Sequence, residues 1–311
     1  MSDTARAAAP ITTAGAGYRL IGIALAVGGV LAFSIRPLLI KLSYAHGAEP
    51  VTLLALRMGF SLPFFLAIGL WARRDPGAAP VAGRDAALIG GLGFLGYYLA
   101  SFLDFLGLQY VTAGVGRLIL FLYPTIVVAL SAVFLGRPIT GRAALSILLT
   151  YGGIGLVMAE AAGGENRDFL LGASLVFASA AAYAVYLVVG SGVVQRVGSM
   201  RFTAWATTVA CLLCIAQFLL VRPLSALDLP VEVYLLTILM ATLCTVLPIF
   251  MTAEALKRLG ANHVAIIGAL GPVSAIGFGH LGLDEVLTWT QGLGALLVLA
   301  GVLLVSLKPR A

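Results

Sequence analysis

Four ionisable side chains stand inside stretches that are otherwise apolar: Arg36, Arg57, Asp104 and Arg117. A charge in such surroundings costs on the order of several kcal/mol unless it is paired or hydrated. Each is therefore a structural partner or part of a solvated, functional space. An arginine can fork onto a carboxylate through two parallel hydrogen bonds, which suits the carboxylate of an amino acid. The neighbouring spacings place polar and aromatic groups on common faces. Gly114, Arg117, Phe121 and Pro124 are separated by 3, 4 and 3 residues, so they share one face of a helix. Tyr97, Ser101, Asp104 and Leu108 do the same on another. Two readings of Arg117 stay open. It lines or gates a substrate cavity together with Phe121, Tyr123 and Pro124, or it pairs with Asp104 and ties two helices together. Asp104 is a structural ion-pair partner, a helix-end residue in the headgroup region, or a cavity residue. Arg57 reads as structural. Glu254 reads as interfacial, and His263 and His280 as locally satisfied polar residues. Tyr97, Tyr98, Phe102, Tyr123, Phe177, Tyr183 and Tyr186 are packing or interfacial aromatics, or the wall of a cavity for an amphipathic organic solute. Tyr18, Tyr44 and Tyr110 fit an interfacial belt.

These residues need elements to hold them, and composition restricts what those elements are. The 311-residue chain is 61% hydrophobic and only 10% charged, with a mean hydropathy of +1.06. A soluble domain is about 25% charged. The chain is an all-α polytopic membrane protein, because a spanning backbone must satisfy its own hydrogen bonds and apolar runs of about 20 residues match the bilayer core. Ten helices are expected: Leu20–Leu42, Pro50–Trp71, Asp85–Leu108, Ala113–Phe134, Thr140–Ala159, Phe169–Val189, Phe202–Val221, Val231–Leu256, His263–Gly282 and Thr288–Leu307. Residues 1–18 read as a disordered tail without the features of a signal peptide.

Basic residues set the topology. With the N-terminus in the cytoplasm, 13 of the 19 Lys and Arg fall in cytoplasmic segments, 3 in external ones and 3 inside helices, in line with the positive-inside rule. The +6 balance thus serves anionic lipid at the inner leaflet and not nucleic acid. Both termini are expected in the cytoplasm.

The chain also repeats itself. From Gly107 to Gly153, a shift of 148 residues places Leu108 on Leu256, Ala113 on Ala261, Pro124 on Pro272, Thr140 on Thr288 and Gly153 on Gly301 without a gap. Two copies of a five-helix unit, residues 19–160 and 169–308, follow from this offset. Five is odd, so the second copy enters from the opposite side and the repeat is inverted. Prolines 37, 63, 124, 248 and 272 lie within the apolar helices. Each removes a donor and frees a carbonyl, and the repeat-related pair Pro124 and Pro272 points to a substrate site at matching helix breaks.

Other motifs carry less. Gly91-Leu-Gly-Phe-Leu-Gly96 and Gly277-Phe-Gly-His-Leu-Gly282 match a dinucleotide fingerprint but lack its strand–turn–helix setting, so close helix contact accounts for them. Cys211-Leu-Leu-Cys214 and Cys244 read as small buried hydrophobes.

Gly107-Leu-Gln-Tyr-Val-Thr-Ala-Gly114, the mid-helix Pro124 and the glycine-rich fifth helix, matched in the second half by Ala255-Leu-Lys-Arg-Leu-Gly-Ala-Asn262, Pro272, Leu283-Asp-Glu285 and Gly292…Gly301, resemble the EamA module of the drug/metabolite transporter superfamily. Arg57-Met-Gly-Phe60 resembles that family's arginine in the second helix. The chain departs from the pattern at Gly136-Arg137, where Gly-Glu is usual, and at Phe33, where the first helix often holds Trp. The resemblance implies a ten-helix carrier that exports amino acids or similar metabolites. With the distribution of polar, aromatic and proline residues, it also implies that helices 1, 3, 4, 6, 8 and 9 surround a cavity while 5 and 10 pack outside.

The function expected is therefore secondary transport of small organic solutes by alternating access. A channel is the alternative. An intramembrane enzyme lacks its constellation, since there is no H-E-x-x-H and only one deep carboxylate. No ATP-binding loop is present, so a gradient supplies the energy. No cofactor and no metal are expected. The partners are a small-molecule substrate and the lipid bilayer, with a homodimer left open, and the compartment is the bacterial inner membrane. The candidate substrate-binding or gating residues are Arg36, Tyr97, Ser101, Asp104, Arg117, Phe121, Tyr123, Pro124, Tyr183, Tyr186 and Pro272.

Overall fold

The computed structural model describes residues 16–73, 81–136, 138–162 and 167–306. Most of the N-terminal tail and the topology-setting Arg6, Arg74, Arg137, Lys308 and Arg310 lie outside the described residues. Among the described residues every regular element is helical. Nine helices are long and apolar enough to cross a membrane, and a tenth is shorter: α1 (Gly17–Ala45), α2 (Pro50–Ala72), α3 (Gly83–Gly107), α4 (Ala113–Phe134), α5 (Gly141–Glu160), α6 (Asp168–Val197), α7 (Ser199–Val221), α8 (Val231–Leu259), α9 (Ile266–Leu283) and α10 (Trp289–Leu304).

These spans follow the expected ten closely, with one large exception. Sequence reasoning ends the sixth helix at Val189, before Gly190-Ser-Gly192, whereas α6 runs on to Val197. Glycine weakens a helix by about 1 kcal/mol per residue, but packing outweighs it here. Val193 and Val197 are buried against Ile89, Leu92 and Phe202, and Gly190 leaves room for the Phe202 ring.

The packing pairs respect the repeat. Helix α5 packs on α10 and α2 on α7, each on its own counterpart. Helix α1 packs on α8 as α6 packs on α3, and α9 packs on α1 as α4 packs on α6. Exchanging the two halves maps this set of neighbours onto itself, which is what a two-fold relation requires. At the α5–α10 interface the relation holds in side-chain detail. Gly153 lies against Gly294 and Val298, and Gly301 lies against Ser146 and Thr150, the residues at the same offset. Ser146 Oγ donates to the Gly301 carbonyl at 2.5 Å. Helices α5 and α10 pack mainly on each other at the edge of the bundle.

The irregularities are duplicated too. Helix α3 widens to a π-helical turn at Phe94–Leu99, and α8 does so at Thr242–Val246, beginning at the same offset. Helix α4 breaks at Phe121–Leu122, just before Pro124. The helix preceding and including α9 breaks at Ala269, just before Pro272. Helix α1 breaks at Ile35, before Pro37, whereas its counterpart α6 is continuous. Proline cannot donate to the carbonyl four residues earlier, so Pro37 leaves the Phe33 carbonyl free for another donor.

Candidate substrate site

The freed Phe33 carbonyl is where the charged cluster begins. Arg117 Nη2 donates to it at 3.4 Å, and the Arg117 guanidinium lies 4.8 Å from the centre of the Phe33 ring. Arg36 lies 4.9 Å from the centre of the same ring, and its Nη2 donates to Asp104 Oδ2 at 2.8 Å. The break in α1 allows this arrangement, because it turns Phe33 and Arg36 toward α3 and α4 together. Arg57 on α2 completes the group. Its guanidinium lies over the Phe105 ring at 5.1 Å, and its Nη2 donates to Ser101 Oγ at 3.4 Å. Tyr44 donates from its hydroxyl to the Phe105 carbonyl at 2.7 Å, next to Asp104.

The pairing of Arg117 with Asp104 weighed above does not occur. Asp104 faces Arg36, and Arg117 reaches a backbone carbonyl instead. Tyr44, one residue from the end of α1, gives its hydroxyl a backbone partner on α3.

Burial makes this cluster chemically unusual. Arg117 is 1% exposed, Arg57 3% and Asp104 4%. Arg36 Nε, Arg57 Nε, Arg117 Nε and Arg117 Nη1 are buried with no hydrogen-bond partner among the described residues. A buried donor left unmade costs about 1–3 kcal/mol, and more when charged. Native interiors rarely tolerate several such groups in one place. Guanidinium nitrogens offer donors only, so this locality can receive acceptors.

A row of aromatic rings extends from the cluster. Phe121 follows Arg117 by one helical turn, and its ring centre is 6.2 Å from that of Tyr123. Tyr123 meets Tyr183 edge-on at 5.2 Å, and Tyr183 stacks on Tyr186 at 5.6 Å. Tyr186 meets Tyr97 at 5.1 Å and donates to its hydroxyl at 3.3 Å. Phe202 stacks on the far side of Tyr186. Gly96, in the π-turn of α3, lies directly against the Tyr186 ring, where a Cβ would collide with it. Gly271, beside Pro272, lies against Phe121 and Ser34 in the same way. The α9 break therefore touches the same place as the α4 break.

Nine of the eleven residues singled out from the sequence thus lie in the cluster and the row, and Pro124 and Pro272 stand beside them in the chain at the α4 and α9 breaks. Sequence reasoning missed Phe33 as the ring shared by two arginines. The available signal was its place four residues before Pro37 and three before Arg36. It also missed Glu285, whose carboxylate accepts from Ala113 N at 2.8 Å and Gly114 N at 3.4 Å at the start of α4. Residues read as bland behave so. His263 and His280 bond to the backbone carbonyls of Leu259 and Glu285, Glu254 pairs with Lys257 and Arg258, and the three cysteines are buried and free.

Comparison with known proteins agrees with this architecture. The model of the EamA-like transporter family matches twice, at residues 20–159 and 170–307. An uncharacterised transporter of Bacillus subtilis (strain 168), YcbK, is 29% identical over 275 residues, covering 86% of each chain. An uncharacterised transporter of Synechocystis is 29% identical over 217 residues, covering 70% of this chain and 65% of the relative. A solved crystal structure superposes with a TM-score of 0.60 at 19% identity, covering 94% of this chain and 96% of the other, which supports the fold.

Proposed function

Because the chain belongs to the EamA-like transporter family, we propose that it is a secondary carrier exporting small organic metabolites, amino acids or similar amphipathic solutes, by alternating access. The observation that carries this reading is the buried Arg117, with donors to spare, at the head of an aromatic row that begins where the α4 and α9 breaks meet at Phe121. Recognition of a small organic solute calls for a few fixed polar groups in an otherwise apolar wall. Paired broken helices are a recurrent site of transport in inverted-repeat carriers. In this reading Arg36, Ser101, Asp104 and Arg117 hold the polar end of the solute, and Tyr97, Phe121, Tyr123, Tyr183 and Tyr186 face its carbon body. Pro124 and Pro272 permit the breaks to flex.

The two five-helix units, residues 19–160 and 169–308, form the inverted pair, and both termini lie on the cytoplasmic side of the bacterial inner membrane. The charge asymmetry supports this orientation. A reporter fluorescent only in the cytoplasm, fused to either terminus, should light up, and a dark reporter at either end overturns the orientation. Transport itself is tested in proteoliposomes. Uptake of a labelled solute should saturate and accelerate when unlabelled solute is present on the far side, whereas a channel shows no such acceleration.

A further inference from the structure

Resting on the carrier reading and deepening it, we propose that the cargo is a net-anionic organic molecule. Its carboxylate seats on Arg117 and Arg36, and its carbon body lies along the tyrosine row. The charges of the cluster carry the inference. Arg36 and Arg117 pack on the same Phe33 ring, Arg36 pairs with Asp104, and Arg57 lies over the ring of Phe105, the residue next to Asp104, so the four groups form one cluster. The described residues of the cluster thus supply three positive charges against one negative. Two uncompensated positive charges inside a membrane bundle are expensive. A zwitterion leaves that excess unchanged, an amine enlarges it, and an anion reduces it.

The donors agree with the charges. Arg117 is closed off at 1% exposure, yet its Nε and Nη1 and the Nε of Arg36 have no partner among the described residues. Among the described residues the only hydrogen bond from Arg117 is the long one to the Phe33 carbonyl. A carboxylate offers two oxygens, each with spare lone pairs, and matches a guanidinium edge bidentately. The two guanidinium groups pack on the same Phe33 ring, so the two charges are near neighbours. The body is specified by what lies next. Phe121 stands one turn beyond Arg117, and Tyr183, which lies within the electrostatic reach of Arg36, joins Tyr123 and Tyr186 in the row. An apolar or aromatic body against these rings, with a carboxylate at one end, satisfies both parts. An inorganic anion would leave the row unused.

The test uses matched solutes that differ in charge and not in body. Phenylpyruvate, phenylalanine and phenethylamine form one series. 4-Methyl-2-oxopentanoate, leucine and isopentylamine form the other. Chloride and inorganic phosphate supply charge without a body. The full chain in proteoliposomes is assayed for counterflow, and the purified protein for thermal stabilisation. In at least one series the keto acid should bind about tenfold or more tightly than its amino acid, because the ammonium of the amino acid is repelled by the excess positive charge, and neither inorganic ion should compete. Arg117→Gln removes one of the two uncompensated charges and should lower that ratio severalfold. Arg117→Lys, which keeps the charge but loses the fork, should retain a weaker preference and serves if the Gln variant does not fold. A purely structural Arg117 would lower stability without moving the ratio, and that result overturns the proposal. Counterflow of the amino acids or amines in preference to the keto acids also overturns it, while leaving the carrier reading intact. Counterflow of none of the six by folded protein overturns both.

Discussion

The two halves of the molecule share their mechanics and differ in their charges. Both have a π-helical turn at the same offset in the third helix of the unit, a break before proline in the fourth, and a glycine contact in the fifth. Yet Arg36, Arg57, Asp104 and Arg117 all belong to the first half, and at the 148-residue offset Asp104 and Arg117 correspond to Thr252 and Ala265. Duplicated features belong to what both halves do alike, which is to pack and to break at matching points. A feature present once is, on the carrier reading proposed above, a candidate for contact with the cargo. The comparison therefore separates scaffold from candidate site, and it can be broken in several places.

The largest effect is expected where the charge asymmetry is buried. Asp104→Leu leaves Arg36 without its carboxylate, and breaking a buried pair from one side costs about 3–5 kcal/mol. The counterpart change, Thr252→Val, removes no charge and should cost less than about 1 kcal/mol. Adding Arg36→Leu to Asp104→Leu should restore most of the loss, since an apolar pair replaces an ionic one at little cost. Denaturation of purified protein reads all three. Equal losses at Asp104 and Thr252 would erase the distinction drawn between the halves.

Next comes Arg117→Ala. It orphans no carboxylate, because Asp104 pairs with Arg36, so stability should change less than in Asp104→Leu. Transport should fall about 100-fold, the equivalent of two charge-assisted hydrogen bonds. Unimpaired transport of every identified substrate would show that the site lies elsewhere. Smaller and, by design, equal effects are expected at Gly153→Val and Gly301→Val. Each adds atoms to the same α5–α10 contact from opposite sides, and overpacking costs about 1–3 kcal/mol. A loss at only one of them would show that the two-fold relation fails at the very interface where it looks closest.

Much of the scaffold was legible in the sequence because two independent signals coincided there. Apolar length marked the spans, and the offset tied Pro124 to Pro272 and Gly153 to Gly301. The sixth helix was read too short, since local glycine propensity at Gly190 and Gly192 says nothing about the tertiary pocket that holds Val193 and Val197. The π-turns have no residue signature of their own, and only the superposed offsets make them recognisable. For the candidate site, residue type sufficed to single out Arg117, because a deep charge is rare. Pairing was not legible. Whether Asp104 meets Arg36 or Arg117 depends on how three helices cross, and the decisive detail is the Phe33 carbonyl released by Pro37.

The smallest effect belongs to a turn present in both halves with opposite charges. Gly136 and Asp284 occupy the same offset and both adopt left-handed backbone, at φ 62° and 53°. The next residues are Arg137, outside the described residues, and Glu285. Glu285 accepts from the first amides of α4, where a helix presents unpaired N–H groups and positive potential. A carboxylate therefore latches the α9–α10 turn to α4, and an arginine at the corresponding sequence position cannot supply that acceptor. Glu285→Ala should lower stability by about 1 kcal/mol, the usual worth of such a cap, with Glu285→Gln costing less because its carbonyl still accepts. The mechanical consequence is the sharper reading. Half-buried Leu38 of α1 packs against Gly282 at this end, so a Leu38→Cys reporter is partly shielded by that contact. In lipid nanodiscs its labelling by a maleimide should quicken severalfold in the Glu285→Ala background. If stability falls and labelling does not change, Glu285 is a helix cap alone, and the difference in charge between the two turns has no bearing on which end opens.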